Sequence, residues 1–388
     1  MNTRALLGTS DGRLASSKHN HLVVAAITLL ASLIASACTI QPGGQHSDAL
    51  SLYPTPPRAS VAELPVPSGT GIGHEYELRP MGEVTGNVIQ DLFESADAHG
   101  DTLDMNLATL SLPSWIQSIV WDAESGARVN VILDRAGSNG SANQVAYDTF
   151  NLHGVHVRWG LPQTNFGQQT ITSITPQGTQ SAIISATSIH SLSGLVLFDT
   201  NALDNAAIVS TFDKDFAGTP GPPAGEPGTD LVWSPGALPA IVRVIESAQP
   251  GATLSVETQQ IDSPAIVRAL VADVHRSVHV LLCTNRALSN SGELSALSGS
   301  GVSVRVSNHD PSTESDIEAN DILVNPGAGP INPQSVTGTF YLGSANFSTA
   351  SISNSRNLGV ITRDPNVLRE AESGLASSCD STIPYRAH

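Results

Sequence analysis

The chain has 388 residues, 40% of them hydrophobic and 14% charged, with 18 basic against 35 acidic side chains and a net charge of −17. The apolar fraction is enough to bury a core, which excludes wholesale disorder, and the length suggests about two domains of ordinary size. A negative field this large repels phosphate backbones, and no basic run interleaved with aromatics offsets it, so no nucleic-acid partner is expected.

Residues 1–21 carry Arg4, Arg13 and Lys18 with the single acid Asp11; Leu22–Ala37 is then a run of 16 apolar or small residues, and Cys38 follows. A basic region, a short apolar run and an Ala35-Ser36-Ala37 exit read as an export signal over residues 1–37, too short for a comfortable membrane span. Cys38 placed directly after Ala-Ser-Ala resembles the bacterial lipoprotein signal, although Ala35 stands where leucine is usual. That resemblance implies acylation of Cys38 and an outward-facing anchor in the cell membrane; cleavage to a free secreted protein is the alternative. Residues 38–73 are rich in Pro, Gly and Ser and read as a flexible tether. Removing the signal leaves 351 residues with 15 basic and 34 acidic side chains, a net charge of −19, and Lys214 as the single lysine.

Beyond Gly73 the chain runs twice through one plan. Glu94-Ser95-Ala96 matches Glu246-Ser247-Ala248, Thr102-Leu103 matches Thr253-Leu254, and Pro113 matches Pro264, at offsets of 151 or 152. A repeat this long signals duplicated domains rather than a solenoid. In each copy a helical period (Val88 to Ala96; Ile241 to Ala248) precedes a strand (LDMNLATL; LSVETQQI). A second helix (WIQSIVWDA; AIVRALVADV) and a second strand (VNVIL; VHVLL) follow, then short strands over Val155–Trp159 and Val302–Val306. Alternating helix and strand predicts an α/β layered domain, twice. The expected boundaries are a first domain over 74–217, a linker over 218–230 and a second domain over 231–388. Cys283 and Cys379 are either one disulfide or two separate thiols.

The segment GTFYLGSANFSTASISNSRNLGVIT, Gly338 to Thr362, resembles the phospholipase D superfamily's strand ending in GSxN and its following helix. LVWSPGA, Leu231 to Ala237, is also similar to bacterial members, and the likeness covers nearly all of Leu78–Ser381. The resemblance implies two tandem α/β sandwich domains about a pseudo-twofold axis, with a site where the halves meet. Family chemistry uses an HxKxxxxD motif in each half. One histidine attacks phosphorus, the other protonates the leaving alcohol, and the lysines neutralise the developing charge.

Both motifs are missing. In NFGQQTITSI the histidine, lysine and aspartate positions fall on Gly167, Gln169 and Ile174; in DIEANDILVN they fall on Glu318, Asn320 and Asn325. The first GSxN segment, ISATSI, puts Ser185 and Ser188 at the glycine and asparagine positions. The second keeps Gly343, Ser344 and Asn346 intact. Asn357 stands at the downstream acid. The lysine count supports this independently, since Lys214 alone cannot supply two motif lysines.

The expectation is therefore an exported protein of this fold that binds an unknown ligand or protein partner without the family's catalytic mechanism. No catalytic residue is assigned by that mechanism, and no metal or cofactor is expected. Ser185, Ser188, Gly343, Ser344 and Asn346 form a vestigial phosphate site. The alternative is a phosphodiesterase built around Glu318 and His309, in a loop with Asp310, Glu314 and Asp316 that reads as a solvated acidic segment.

Overall fold

The duplicated pattern forms two sheets. The computed structural model describes residues 76–81, 100–161, 165–186, 189, 194–221, 223, 228–289, 291–307, 317–326 and 338–386, within a unit spanning Glu63–His388. The export signal, Cys38, the tether, the helix expected over Val88 to Ala96, Ser188 and the His309 loop lie outside the described residues.

In chain order the first sheet takes β1 (Tyr76–Pro80), β2 (Thr102–Leu107), β3 (Arg128–Leu133) and β4 (His156–Trp159). After β5 (Asn165–Phe166), which joins the other sheet, come β6 (Thr170–Thr175), β7 (Gly178–Ile184) and β8 (Leu195–Asp199). The spatial order is β1-β8-β7-β6-β2-β3-β4. Helices α1 (Pro113–Ser125), α2 (Gly137–Ala142) and α3 (Gln144–Leu152) join its parallel strands, and α4 (Ala202–Phe216) closes the half.

The second half repeats the plan with β9 (Leu231–Ser234), α5 (Leu238–Glu246), β10 (Thr253–Thr258), α6 (Pro264–His275), β11 (His279–Thr284), α7 (Ser291–Gly299) and β12 (Ser303–Val306). It continues through β13 (Asn320–Asn325), β14 (Thr339–Gly343), α8 (Thr349–Asn354), β15 (Ser355–Thr362), α9 (Pro365–Asp380) and β16 (Ile383–Pro384). Its order is β16-β12-β11-β10-β13-β14-β15-β5, with β9 also paired to β15.

Sequence dictates these elements in ordinary ways. Pro113 and Pro264 sit in the first turns of α1 and α6, where a missing N–H costs nothing. Asn201 caps α4, its side chain accepting from the backbone N–H groups of Leu203 and Asp204 at 2.9 and 3.2 Å. In α5, Ile241, Val244 and Ile245 fall on one stripe and are wholly buried, each worth about 2 kcal/mol of removed apolar surface.

Each sheet covers its own outer core, and a third core is shared. Leu195 and Leu197 of β8 and Ile208 of α4 pack with Trp233, Phe340, Leu358, Val367 and Leu375 from the second half. Two further ties cross between halves. β5 adds in parallel to β15, with Asn165 opposite Ser355 and Phe166 opposite Arg356. Arg356 is paired with Asp215 of α4 at 3.0 Å, both side chains almost fully buried, and it also donates to the Gly221 carbonyl at 2.9 Å. The cysteine question resolves as a disulfide between Cys283 of β11 and Cys379 of α9.

Candidate functional site

The site expected where the halves meet is built from the starts of β6 and β13 and the ends of β7 and β14. Strand register fixes which positions correspond. Leu103 lies opposite Ser173, and Leu254 lies opposite Val324. This places Gln169 at the same register position as Asn320, two residues beyond Gly167 and Glu318.

At the first histidine position no side chain fits. A Cβ on Gly167 would lie 2.3 Å from Asn357 Oδ1. That amide is held in place: its Nδ2 donates to the Ser351 carbonyl at 2.9 Å, and its Oδ1 accepts from the Ser344 hydroxyl at 3.3 Å. The lysine position is filled by a fully buried Gln169 whose Oε1 accepts from the Ala108 backbone N–H at 3.3 Å.

In the second half, Glu318 is half-buried between buried Ile317 and Ala319. Asn320, at the lysine position, is fully buried. Its Oδ1 accepts from Thr258 Oγ1 at 2.8 Å, and its Nδ2 crosses to the Ser185 carbonyl of the first half at 3.2 Å. Asn346 Nδ2 donates to Gln259 Oε1 at 3.1 Å, and Asn325 Nδ2 donates to Glu372 Oε1 at 3.0 Å. Ile174 is half-buried at the end of β6. The structure thus draws Gly167, Ser344 and Asn357 into one cluster and Ser185 and Asn320 into another.

One correspondence needs correction. Ser185 aligns with Ser344, not with Gly343. The Ser185 backbone N–H donates to the Leu195 carbonyl at 3.0 Å while the Leu195 N–H donates to Ser185 Oγ at 2.9 Å. Ser344 and Leu358 repeat this at 3.0 and 3.3 Å. Ile184 therefore holds the glycine position, and the asparagine position moves from Ser188 to Thr187, both outside the described residues.

The reason is a size exchange. A Cβ on Gly343 would lie 2.5 Å from the Tyr341 hydroxyl and 2.9 Å from Gly359 Cα. In the first half the matching residues are Ala182, Ile184 and Val196, so a small residue replaces the ring and a large one fills the glycine's place. The surviving glycine is a packing requirement of Tyr341.

Sequence reasoning missed two buried acids beneath the second half-site. Glu257 and Asp321 are register partners on β10 and β13 and are both buried. Burial lifts the Glu257 carboxyl to about 7 against the pull of the Ser378 hydroxyl. Burial first, then the Glu257 charge, raises Asp321 well above the carboxylate range, opposed by the Ser185 hydroxyl. The matching residues in the first half are Asn106 and Thr170. The sequence signal was an acid at alternate, core-facing positions of two paired strands, visible only once the strands are aligned.

The described residues contain no group of three or more His, Cys, Asp and Glu that could hold a metal ion, and no described helix is long and apolar enough to cross a membrane. Around the motif positions the chemistry is that of amides, hydroxyls and carboxyls engaged with one another.

No protein-family model matches the sequence, and no curated protein does. Solved structures do. Polyphosphate kinase from Porphyromonas gingivalis shares 14% identity over 78% of this chain and 50% of its own, at a TM-score of 0.58; this chain spans half that enzyme's length. Phosphatidylserine synthase from Haemophilus influenzae Rd KW20 shares 10% identity over 81% of this chain and 88% of its own, at 0.56. Nuc from Salmonella typhimurium, a phospholipase D family member, shares 23% identity over 40% of this chain and 96% of its own, at 0.32. With two α/β halves, each built on the same strand plan, the chain has the fold of the phospholipase D superfamily.

Proposed function

We propose that this is an exported, lipid-anchored protein that uses a phospholipase D fold to hold a ligand or partner at the cell envelope without phosphodiester turnover. One observation carries the reading: the first histidine position has no room for a side chain, because Asn357 Oδ1 occupies it. Nucleophilic attack and leaving-group protonation need two titratable groups at a phosphate held by cations. Here the lysine positions are amides, one of which is spent joining the halves. A carboxylate such as Glu318 would meet a phosphodiester anion with neither lysine present, and the repulsion opposes attack. The export reading is supported by the signal before Cys38 and by a disulfide, which persists in oxidising compartments.

The test is turnover of phosphatidylcholine and of a chromogenic phosphodiester by purified residues 74–388, with and without divalent cations. Glu318→Gln runs alongside. The expected result is no turnover above that of the variant. Turnover abolished by Glu318→Gln would overturn the reading and make Glu318 the centre of a hydrolase. Radiolabelled palmitate incorporation lost in Cys38→Ser checks the anchor separately.

A further inference from the structure

A groove of roughly 1230 Å³ runs between α4 and the β6–β7 hairpin, and of the motif positions only Ile174 lines it. Its helix wall is one face of α4: Ala202, Ala206, Val209, Ser210 and Asp213 recur at helical spacing, with Lys214 beside them. Ile174, Gln177 and Thr179 come from the hairpin. Here the first half differs from the second, where the chain between β13 and β14 is far longer.

We propose that this groove binds a neutral oligosaccharide. Charge narrows the ligand first. Asp213 and Lys214 bring one charge of each sign, and the rest of the lining is uncharged, so neither a polyanion nor a polycation is favoured. The chain's net negative charge opposes the polyanion further.

Hydrogen-bonding capacity narrows it again. The side chains of Gln177, Thr179 and Ser210 make no hydrogen bond among the described residues, and hydroxyls and amides each offer both donor and acceptor. Their match is a ligand dense in groups that also do both, and sugar hydroxyls are such groups. Between them, Ile174, Ala206 and Val209 supply an apolar surface for the C–H faces of sugar rings.

An extended peptide is the competing occupant, and the sheet argues against it. Peptides that dock on strands do so by main-chain pairing to a free edge. β6 is paired on both sides, by β2 and β7, and β7 by β6 and β8. Neither strand offers a free main-chain edge to the groove. No aromatic ring lines it, so affinity must come from several sugar units together, and a single sugar binds weakly.

The experiment is calorimetric titration of the purified full chain with chitotetraose and maltotetraose, with a Ser/Thr-rich unstructured peptide as the third arm. Ala206 is exposed on α4, so Ala206→Trp fills the groove without touching the core; Thr179→Val removes one hydroxyl at nearly constant volume. Binding of at least one tetrasaccharide is expected, weakened roughly tenfold or more by Ala206→Trp and by a smaller factor in Thr179→Val, at unchanged melting temperature. No binding of either saccharide, binding that Ala206→Trp leaves intact, or binding of the peptide alone would each overturn the proposal. The phosphodiesterase assay is unaffected by any of these outcomes, so the two readings fail separately.

Discussion

The two halves share one strand plan and dispose of the same site in opposite ways. The first half has filled it, with glycine where a histidine would stand, Asn357 lodged against it, and neutral Asn106 and Thr170 at the sheet positions beneath. The second half has kept its glycine, serine and asparagine and holds the buried acids Glu257 and Asp321 at the matching positions. The difference teaches that a motif glycine can be required by packing alone. Gly343 survives because Tyr341 leaves no room for a Cβ, and the first half, with Ala182 in place of that ring, retains no glycine there.

The comparison can be broken most forcefully where the halves are tied. Arg356→Ala leaves Asp215 buried and unpaired, and loss of about 3–5 kcal/mol is expected from urea midpoints. Replacing both partners with apolar residues of similar size should recover most of it. A full loss in the double variant would mean that the tie works through the Gly221 carbonyl rather than through the ion pair.

Acidity sharpens the comparison next. The folded Glu257 carboxyl titrates at about 7 against 4.5 for the free group. Between these values the folded state keeps a proton that the unfolded chain has lost. Stability therefore falls as pH rises from about 4.5 to 7 and this contribution is flat above, a span worth about 3 kcal/mol. Glu257→Gln should remove that share of the slope, measured as the difference between variant and wild-type urea midpoints at pH 5 and pH 8. Equal slopes in the two proteins would show that Glu257 does not hold its proton in the fold.

The smallest expected effect is at the filled site. Gly167→Ala pushes a methyl group against Asn357 Oδ1, and about 1–3 kcal/mol of overpacking cost is expected. Asn357→Ala in the same chain should relieve it. A double variant no more stable than Gly167→Ala would mean that the glycine is required by its backbone and not by the amide.

Much of this was legible from residues alone, for reasons that can be named. The duplication shows because Thr102-Leu103 and Thr253-Leu254 occupy equivalent strand positions, where burial restricts the side chain. The scarcity of lysine shows because a residue type used twice in a chain is easily counted. The misplacement of Ser185 by one residue has an equally plain cause. Without a glycine to mark the strand end, ISATSI offers two serines and no local reason to choose between frames; the choice is made by the Leu195 backbone across the ladder. The Arg356–Asp215 pair joins positions 141 residues apart and has no periodic signature. The disulfide needed the fold for the same reason.

That disulfide reaches beyond its own half. Cys379 lies near the C-terminal end of α9, and the buried face of α9, through Val367, Leu368, Ala371 and Leu375, packs in the same core as Tyr76 and Leu78 of β1. Strand β1 is the first described element of the chain. It is stitched to β8 on one side and backed by a helix that a covalent bond fastens to β11. A pull on β1 is thus resisted by the sheet of the other half as well as by the sheet to which β1 is hydrogen-bonded.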